Sequence, residues 1–343
     1  SANSSFCSSP VFLPSHIMTM RSLISDNASL LTALARFDIP LGFGDKTVVE
    51  VCREKNIDSA TFLAVANYIS GRSVSSEDIN LEQLMAYLKR AHDYFLDFKL
   101  PLIRRKLLDA IDITGVDSIG FLILKFYDDF VQEVRAHMEA ENDHVFPFVE
   151  SLLERQPDKN NTIGSYASGH TSIAPKLHEL KDIIVRYYPG EGNNLLTSVL
   201  FDILTCEQDL KSHCEVEDDL FVPAVKRLES EIAAEEDMRC ADCNAPVNDD
   251  DISSESNSHD ASASDAERVG SLSDREKEII CLISKGLTNK EIASQLFLSV
   301  HTVATHRRNI TSKLNIHSPA GLTIFAIING LISINDIPRS SIG

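Results

Sequence analysis

Basic residues are scarce in this 343-residue chain. It has 32 lysines and arginines against 51 aspartates and glutamates, a net charge of −19. A surface of that sign repels polyanions, which excludes nucleic-acid binding by the molecule as a whole. Long hydrophobic runs are missing too. No apolar stretch approaches the roughly 18 residues of a membrane span, and the first residues lack the basic start and apolar core of a secretory signal. Strand-like alternation of apolar and polar residues is nearly absent. Cysteines are few, odd in number and scattered (Cys7, Cys52, Cys206, Cys214, Cys240, Cys243, Cys281). In a chain this long they fit reduced thiols better than a disulfide framework. The expectation is a cytoplasmic protein with no membrane partner.

What is present is apolar periodicity of 3.6 residues in a chain that is 43% hydrophobic, which predicts an all-α fold. The length suits two or three domains, and charge divides them. Residues 270–343 hold eight basic and five acidic residues, a net +3, so the remainder carries −22. Residues 235–268 contain eleven acidic and two basic residues among Ser, Asn and Asp, the composition of a flexible, self-repelling linker. The predicted organisation is a small helical unit at 20–75, a four-helix bundle at 82–232, a disordered acidic linker at 233–269 and a C-terminal four-helix domain at 270–343. In the first unit Thr47-x-x-Glu50 reads as a capping box, and Asp58 or Ser59 caps the next helix. Turn residues lie at Thr114-Gly115, Asp158–Gly164 and Pro189–Asn193.

One pattern is written twice. HMEAENDHVFP begins at His137 and HCEVEDDLFVP at His213. Each reads His-x-x-x-Glu, with proline ten residues after the histidine. Residues four apart share a helix face, so His137 projects with Glu141 and His213 with Glu217. Imidazole and carboxylate suit iron, manganese or zinc, and facing helices of a bundle hold two metals when each supplies such groups inward. A helical hairpin places its ligands equally far from its turn. The midpoint of His92 and His137 is Thr114-Gly115. That of His170 and His213 is Glu191-Gly192, inside a Pro-Gly-Glu-Gly turn, whereas His178 would place it in the apolar run Leu195-Leu196. The predicted site is His92, His137, Glu141, His170, His213 and Glu217, with His178 in place of His170 if the third helix starts near Pro175. Glu133 lies one turn before His137, where it lines access to the site or, the preferred reading, is a plain solvated glutamate; Asp143, His144, Asp218 and Asp219 read as surface residues. Cys240-x-x-Cys243 lacks the second half of a zinc site.

Residues 82–230 thus resemble the hemerythrin-like di-iron family. ARFDIPLGFGDKTVVEVCREKNID resembles the small leading domain of the iron–sulfur-cluster repair (RIC) members of that family. The resemblance implies an oxo-bridged, non-haem di-iron centre with bridging glutamates and terminal histidines. Where the repair proteins carry a Cys-Cys pair this chain has Gly42-Phe43-Gly44, and Gly169 stands where they often have Glu. Both departures count against the repair activity.

The C-terminal segment LSDREKEIICLISKGLTNKEIASQLFLSVHTVATHRRNITSKLNIHS opens helices with capping boxes at Ser273-x-x-Glu276 and Thr288-x-x-Glu291. Ser299 caps a third helix that runs to about Leu314. Two helices joined by the short FLS linker are a helix-turn-helix, whose second helix fits the major groove. The segment closely resembles the LuxR/NarL-type DNA-binding family. The resemblance implies that Ala304, Thr305 and Arg308 face the bases, while Asn289, Lys290, Thr302, His306, Arg307 and Lys313 lie nearer the phosphates. Thr288 and Ser299 complete the DNA-facing set. PAGLTIFAIINGL at 319–331 forms a last helix that in this family pairs two domains on DNA. The expected function is a transcription regulator rather than an enzyme. It would bind double-stranded promoter DNA, as a homodimer, under control of a di-iron bundle that senses oxygen, nitric oxide, peroxide or redox or iron status. The alternative is a di-iron enzyme for nitric-oxide handling or cluster repair.

Overall fold

The structure is a computed structural model that describes residues 18–72, 78–111, 119–156, 162–167, 174–188, 194–240, 272–333 and 336–337. Among these residues it is helical throughout, apart from one isolated antiparallel bridge between Thr19 and Thr47. The leading helices are α1 (Met20–Asp26), α2 (Leu30–Arg36), α3 (Val48–Glu54) and α4 (Ser59–Ile69). Next, α5 (Leu81–Asp93) passes through a π-helical segment, Tyr94–Lys99, into α6 (Leu100–Ala110). In the same way α7 (Ile119–Ala140) passes through Glu141–Val145 into α8 (Phe146–Leu153). After α9 (Ile163–Ala167) and α10 (Ala174–Tyr187), α11 (Asn194–Val216) passes through Glu217–Phe221 into α12 (Val222–Cys240). The C-terminal helices are α13 (Asp274–Ser284), α14 (Asn289–Leu296), α15 (Val300–Leu314) and α16 (Pro319–Ile328).

The start signals act as the sequence predicts. Thr47, Ser273 and Thr288 each accept a hydrogen bond from the backbone N–H of the glutamate three residues on, and that glutamate bonds back. Asp58 and Ser299 cap α4 and α15. Two boundaries differ from expectation. Helix α12 continues to Cys240, past the linker start at 233, because Ala233, Ala234, Glu235 and Glu236 are strong helix formers despite their charge. Gly164, assigned to a turn, lies inside α9. The turns at Thr114-Gly115 and Pro189–Asn193 and the linker from 241 lie outside the described residues.

The chain divides into two compact units. The first comprises Ser1–Asp97, His137–Ser172 and Asp209–Cys243. Its core joins Leu30, Leu34, Phe37 and Phe62 of the leading helices to Leu84 and Leu88 of α5, Phe146 and Val149 of α8, and Phe221 and Val225 around α12. Phe37 packs edge-on to Phe62 at 5.3 Å and against Tyr87 at 4.9 Å. The leading segment therefore has no core of its own; it is built into the end of the unit that carries the histidines. The second unit comprises Phe98–Ala136, Ile173–Gln208 and Asn244–Gly343. In it Lys99 and Lys106 both pair with Asp202, and Tyr127 donates to the Leu100 carbonyl. Its C-terminal helices enclose Ile279, Ile283, Ile292, Val303, Ile310, Leu314 and Phe325. No described helix is long and apolar enough to cross a membrane.

Candidate metal centre and helix-turn-helix

Within the first unit His92, Glu141, His213 and Glu217 converge so that one ligand atom from each lies within 4.8 Å of the others. All are buried, at 0, 6, 1 and 3% exposure. His92 Nε2 faces His213 Nε2 at 3.2 Å, Glu141 Oε2 at 3.3 Å and Glu217 Oε1 at 3.6 Å. His213 Nε2 lies 3.0 Å from Glu217 Oε1, and His137 Nε2 lies 3.3 Å from Glu141 Oε1. Five of the six predicted residues are thus brought together. The sixth, His170, lies outside the described residues. Helix α10 does begin beside Pro175, the condition that favoured His178, yet His178 is half exposed and is not in the cluster. It pairs with Glu207 at 2.9 Å and Asp182 at 3.6 Å. Glu133 pairs with Lys176. Asp143, His144, Asp218 and Asp219 are exposed, as expected.

The backbone explains the spacing to proline. Each glutamate opens a π-helical segment. The Phe146 N–H reaches the Glu141 carbonyl and the Val222 N–H the Glu217 carbonyl, each five residues back. Pro147 and Pro223 follow at once. Proline has no N–H and its ring clashes with the carbonyl four residues earlier; the wider turn relieves both problems. The same device turns each glutamate inward while the helix continues.

Other groups hold the imidazoles. His92 Nδ1–H donates to Asn142 Oδ1 at 3.0 Å, which leaves Nε2 aimed into the cluster. Phe146 packs 5.4 Å from His92, and Phe95 packs 5.7 Å from His213. The spacing argument missed Asn142, because a residue adjacent to a ligand has no periodic signature. Burial alone would lower the His92 pKa, but Glu141 and Glu217 outweigh it and push it up to about 9. Burial likewise disfavours the Glu217 anion, but His213 and His92 hold its carboxyl well below the usual range. Neither Glu217 oxygen accepts a well-formed hydrogen bond. A buried carboxylate left this way is unfavourable unless a cation completes it, and imidazole nitrogens with carboxylates are a donor set for iron, manganese or zinc. The residues present therefore fit a metal. Beside them lies a cavity of about 20 Å³ lined by Glu141, Glu217, Phe146, Ile163, Tyr166 and Phe221.

In the second unit Phe297 closes α14 in the left-handed region (φ +55°) and Ser299 opens α15, so the predicted helix-turn-helix forms. On α15 Thr305 and Arg308 are exposed, and Thr302, Ala304 and His306 are half-buried; Lys290 on α14 and Thr288 at its cap are exposed. Two of the basic residues have partners inside the domain. Arg307 donates to Asn289 Oδ1 at 2.9 Å, and Lys313 pairs with the buried Glu276 at 2.7 Å.

Comparison with known proteins covers both sites, and the first match draws on both compact units. Residues 83–225 match the family model for the hemerythrin HHE cation binding domain, and residues 270–326 that for bacterial regulatory proteins of the luxR family. Among similar proteins, the transcriptional regulatory protein LiaR of Bacillus subtilis is 46% identical over 63 residues, 18% of this chain and 30% of its own. A nitrate/nitrite response regulator protein homolog of Haemophilus influenzae is 50% identical over 56 residues, 16% and 27%. The oxygen regulatory protein NreC of Staphylococcus aureus is 44% identical over 79 residues, 23% and 36%. The chain therefore spans about a third of the length of these relatives. It is a fusion in which a hemerythrin HHE cation-binding domain at 83–225 precedes a luxR-family domain at 270–326.

Proposed function

We propose that the chain is a DNA-binding transcription regulator whose hemerythrin domain holds two irons and senses a small ligand or redox change. The observation that carries the reading is the buried His/Glu cluster, with a cavity of about 20 Å³ beside it, in the same chain as a helix-turn-helix. His92, His137, Glu141, His213 and Glu217 would hold the metal pair. When bound, such a pair supplies a redox couple and a position for a diatomic molecule or peroxide. A cavity of roughly 10–15 Å³ already admits one water, so the space beside the cluster fits a molecule of that size. Asn142 fixes the His92 ring. Phe146 and Phe221 keep bulk water away from the carboxylates.

On the DNA side Ala304, Thr305 and Arg308 would read base edges, while Lys290, Thr302 and His306 approach phosphates. Arg307 and Lys313 support the domain first, through Asn289 and Glu276, and reach DNA as a second role. The regulator names of similar proteins support this reading over an enzyme, and the chain lacks the cysteine pair of the repair proteins. The test is metal analysis and visible spectroscopy of anaerobically purified protein, before and after air or nitric oxide, with promoter binding measured in each state. Two irons per chain and a spectral change accompanied by a change in DNA affinity are expected. A spectral response with invariant DNA affinity refutes the sensing. Steady turnover of nitric oxide revives the enzyme.

A further inference from the structure

Glu179 on α10 is only 5% exposed, and its partners are on the C-terminal domain. The Ser318 hydroxyl donates to Oε1 at 2.7 Å, and the His317 amide donates to Oε2 at 3.2 Å. Ser318 is the N-cap of α16 and accepts the Gly321 N–H at 2.9 Å. The carboxylate thus sits at the positive end of α16, where a negative charge is favourable. Residue 321 leaves room for it: a Cβ there would fall 2.1 Å from Glu179 Oε1. Farther along α10, Tyr187 packs against the core of the C-terminal domain. The same helix is tied to α11 through His178 and Glu207, at 2.9 Å, and α11 carries His213.

We propose that Glu179 is a latch that holds the luxR-family domain against α10 of the hemerythrin domain, and that the latched chain is the form with low DNA affinity. The attachment includes one buried carboxylate and one aromatic ring of α10, so a displacement of α10 moves both. Movement of α11 at the metal-binding end reaches α10 through Glu207 and His178. The sign follows from charge. Residues 1–232 carry −13, the tethering linker at 233–269 carries −9 and the C-terminal domain +3. Held beside the acidic body, the basic domain meets DNA in a repulsive field; released, it is left with the charge of its linker alone, and the repulsion falls. The regulatory half rests on the proposed DNA binding, whereas the latch itself does not.

The experiment is hydrogen exchange on the full chain, with and without iron, followed by DNA titration at two salt concentrations. Glu179→Ala is expected to speed exchange at residues 317–322 about 10- to 100-fold, the range for a lost charged hydrogen bond, and to leave α13 protected. DNA affinity should rise about tenfold, with the gain shrinking at high salt. Glu179→Gln, which keeps the shape and one acceptor, should fall between the two. His178→Ala should keep the latch but remove its response to iron. Unchanged exchange at 317–322 in both Glu179 variants overturns the latch. Faster exchange with unchanged DNA affinity overturns its regulatory role. Absence of DNA binding in every variant refutes the functional reading while the exchange result stands. A response to iron that survives His178→Ala overturns the route through Glu207.

Discussion

Replacing Pro147 by alanine asks what sets the position of Glu141: the proline or the core. Alanine restores an N–H and removes the ring clash, so the helix is free to lose its π segment and regain one regular hydrogen bond. That gain is about 0.5–1.5 kcal/mol. Losing the extra residue would rotate α8 by about 100° against α7. Helix α8 buries Phe146, Val149 and Leu152 at 1, 0 and 2% exposure, and a rotation of that size exposes most of them. Each is worth about 1.5–3 kcal/mol, so the loss exceeds the gain by several kcal/mol. The core wins, and the π segment should persist. The expected result is unchanged metal content per chain and a stability change of no more than about 1 kcal/mol, or about 2–4 °C in Tm. Metal analysis and calorimetry read both. A folded Pro147→Ala protein that has lost most of its metal would refute the reasoning and assign the register to the ring. Pro223→Ala should behave alike, since Leu220, Phe221 and Val225 are equally buried.

Other outcomes follow from the charges. Asp209→Ala strands the buried Arg36 guanidinium and should cost about 3–5 kcal/mol; adding Arg36→Met should restore most of it, and a urea midpoint unmoved by the single change would show the pair to be inert. Burial disfavours the Asp202 anion, but Lys106 and Lys99 outweigh it and hold its pKa below the ordinary value. Its contribution is therefore present above the unfolded pKa of about 3.9 and lost as pH falls through the folded one, so urea midpoints of wild type and Asp202→Asn should differ at pH 7 and converge in strong acid; a constant gap counts against the linkage. Arg308→Ala should weaken specific DNA binding by about 1–3 kcal/mol and relax one base position, whereas Lys290→Ala should weaken all sequences alike and lower the salt slope by about 1. Equal losses on specific and random DNA for Arg308→Ala would place that side chain on phosphate.

The C-terminal domain was legible almost residue by residue because its signals are local. Capping boxes, a left-handed cap and apolar spacing all act within one turn of helix. The paired His-x-x-x-Glu pattern was legible for the same reason: a spacing of four is a property of the helix itself. The π segments were not. Pro147 and Pro223 marked their positions, but whether a helix breaks, kinks or widens at a proline is decided by which register its apolar face needs downstream. Symmetry about the hairpin paired His92 with His137, and both side chains face Glu141 at 3.3 Å. Symmetry says nothing of Asn142, whose role depends on the far side of the His92 ring. At α12 the charge of residues 235–240 pointed to a linker, while Ala233 to Glu236 had the propensity to extend a helix already running. Propensity prevailed, and the Glu235 carboxylate on that stretch is exposed to solvent.

Arg36 shows why the leading helices belong to the metal-binding end. Helix α2 inserts this guanidinium between Tyr87 of α5 and Asp209 of α11, donating to the phenol at 3.4 Å and to the carboxylate at 2.7 Å. Phe95 lies under it at 5.1 Å and packs in turn against His213. Asp209 stands one helical turn before His213, and Tyr87 stands five residues before His92. The charge is thus anchored next to both histidine-bearing helices. A buried ion pair adds little net stability over an apolar replacement, so its value here lies in position. It fixes the separation of α5 and α11 at the level where His92 Nε2 and His213 Nε2 face each other at 3.2 Å. An apolar contact permits sliding, whereas a guanidinium bonded to a phenol and a carboxylate defines one register. By this argument the leading segment serves in this chain to hold the two histidines in place.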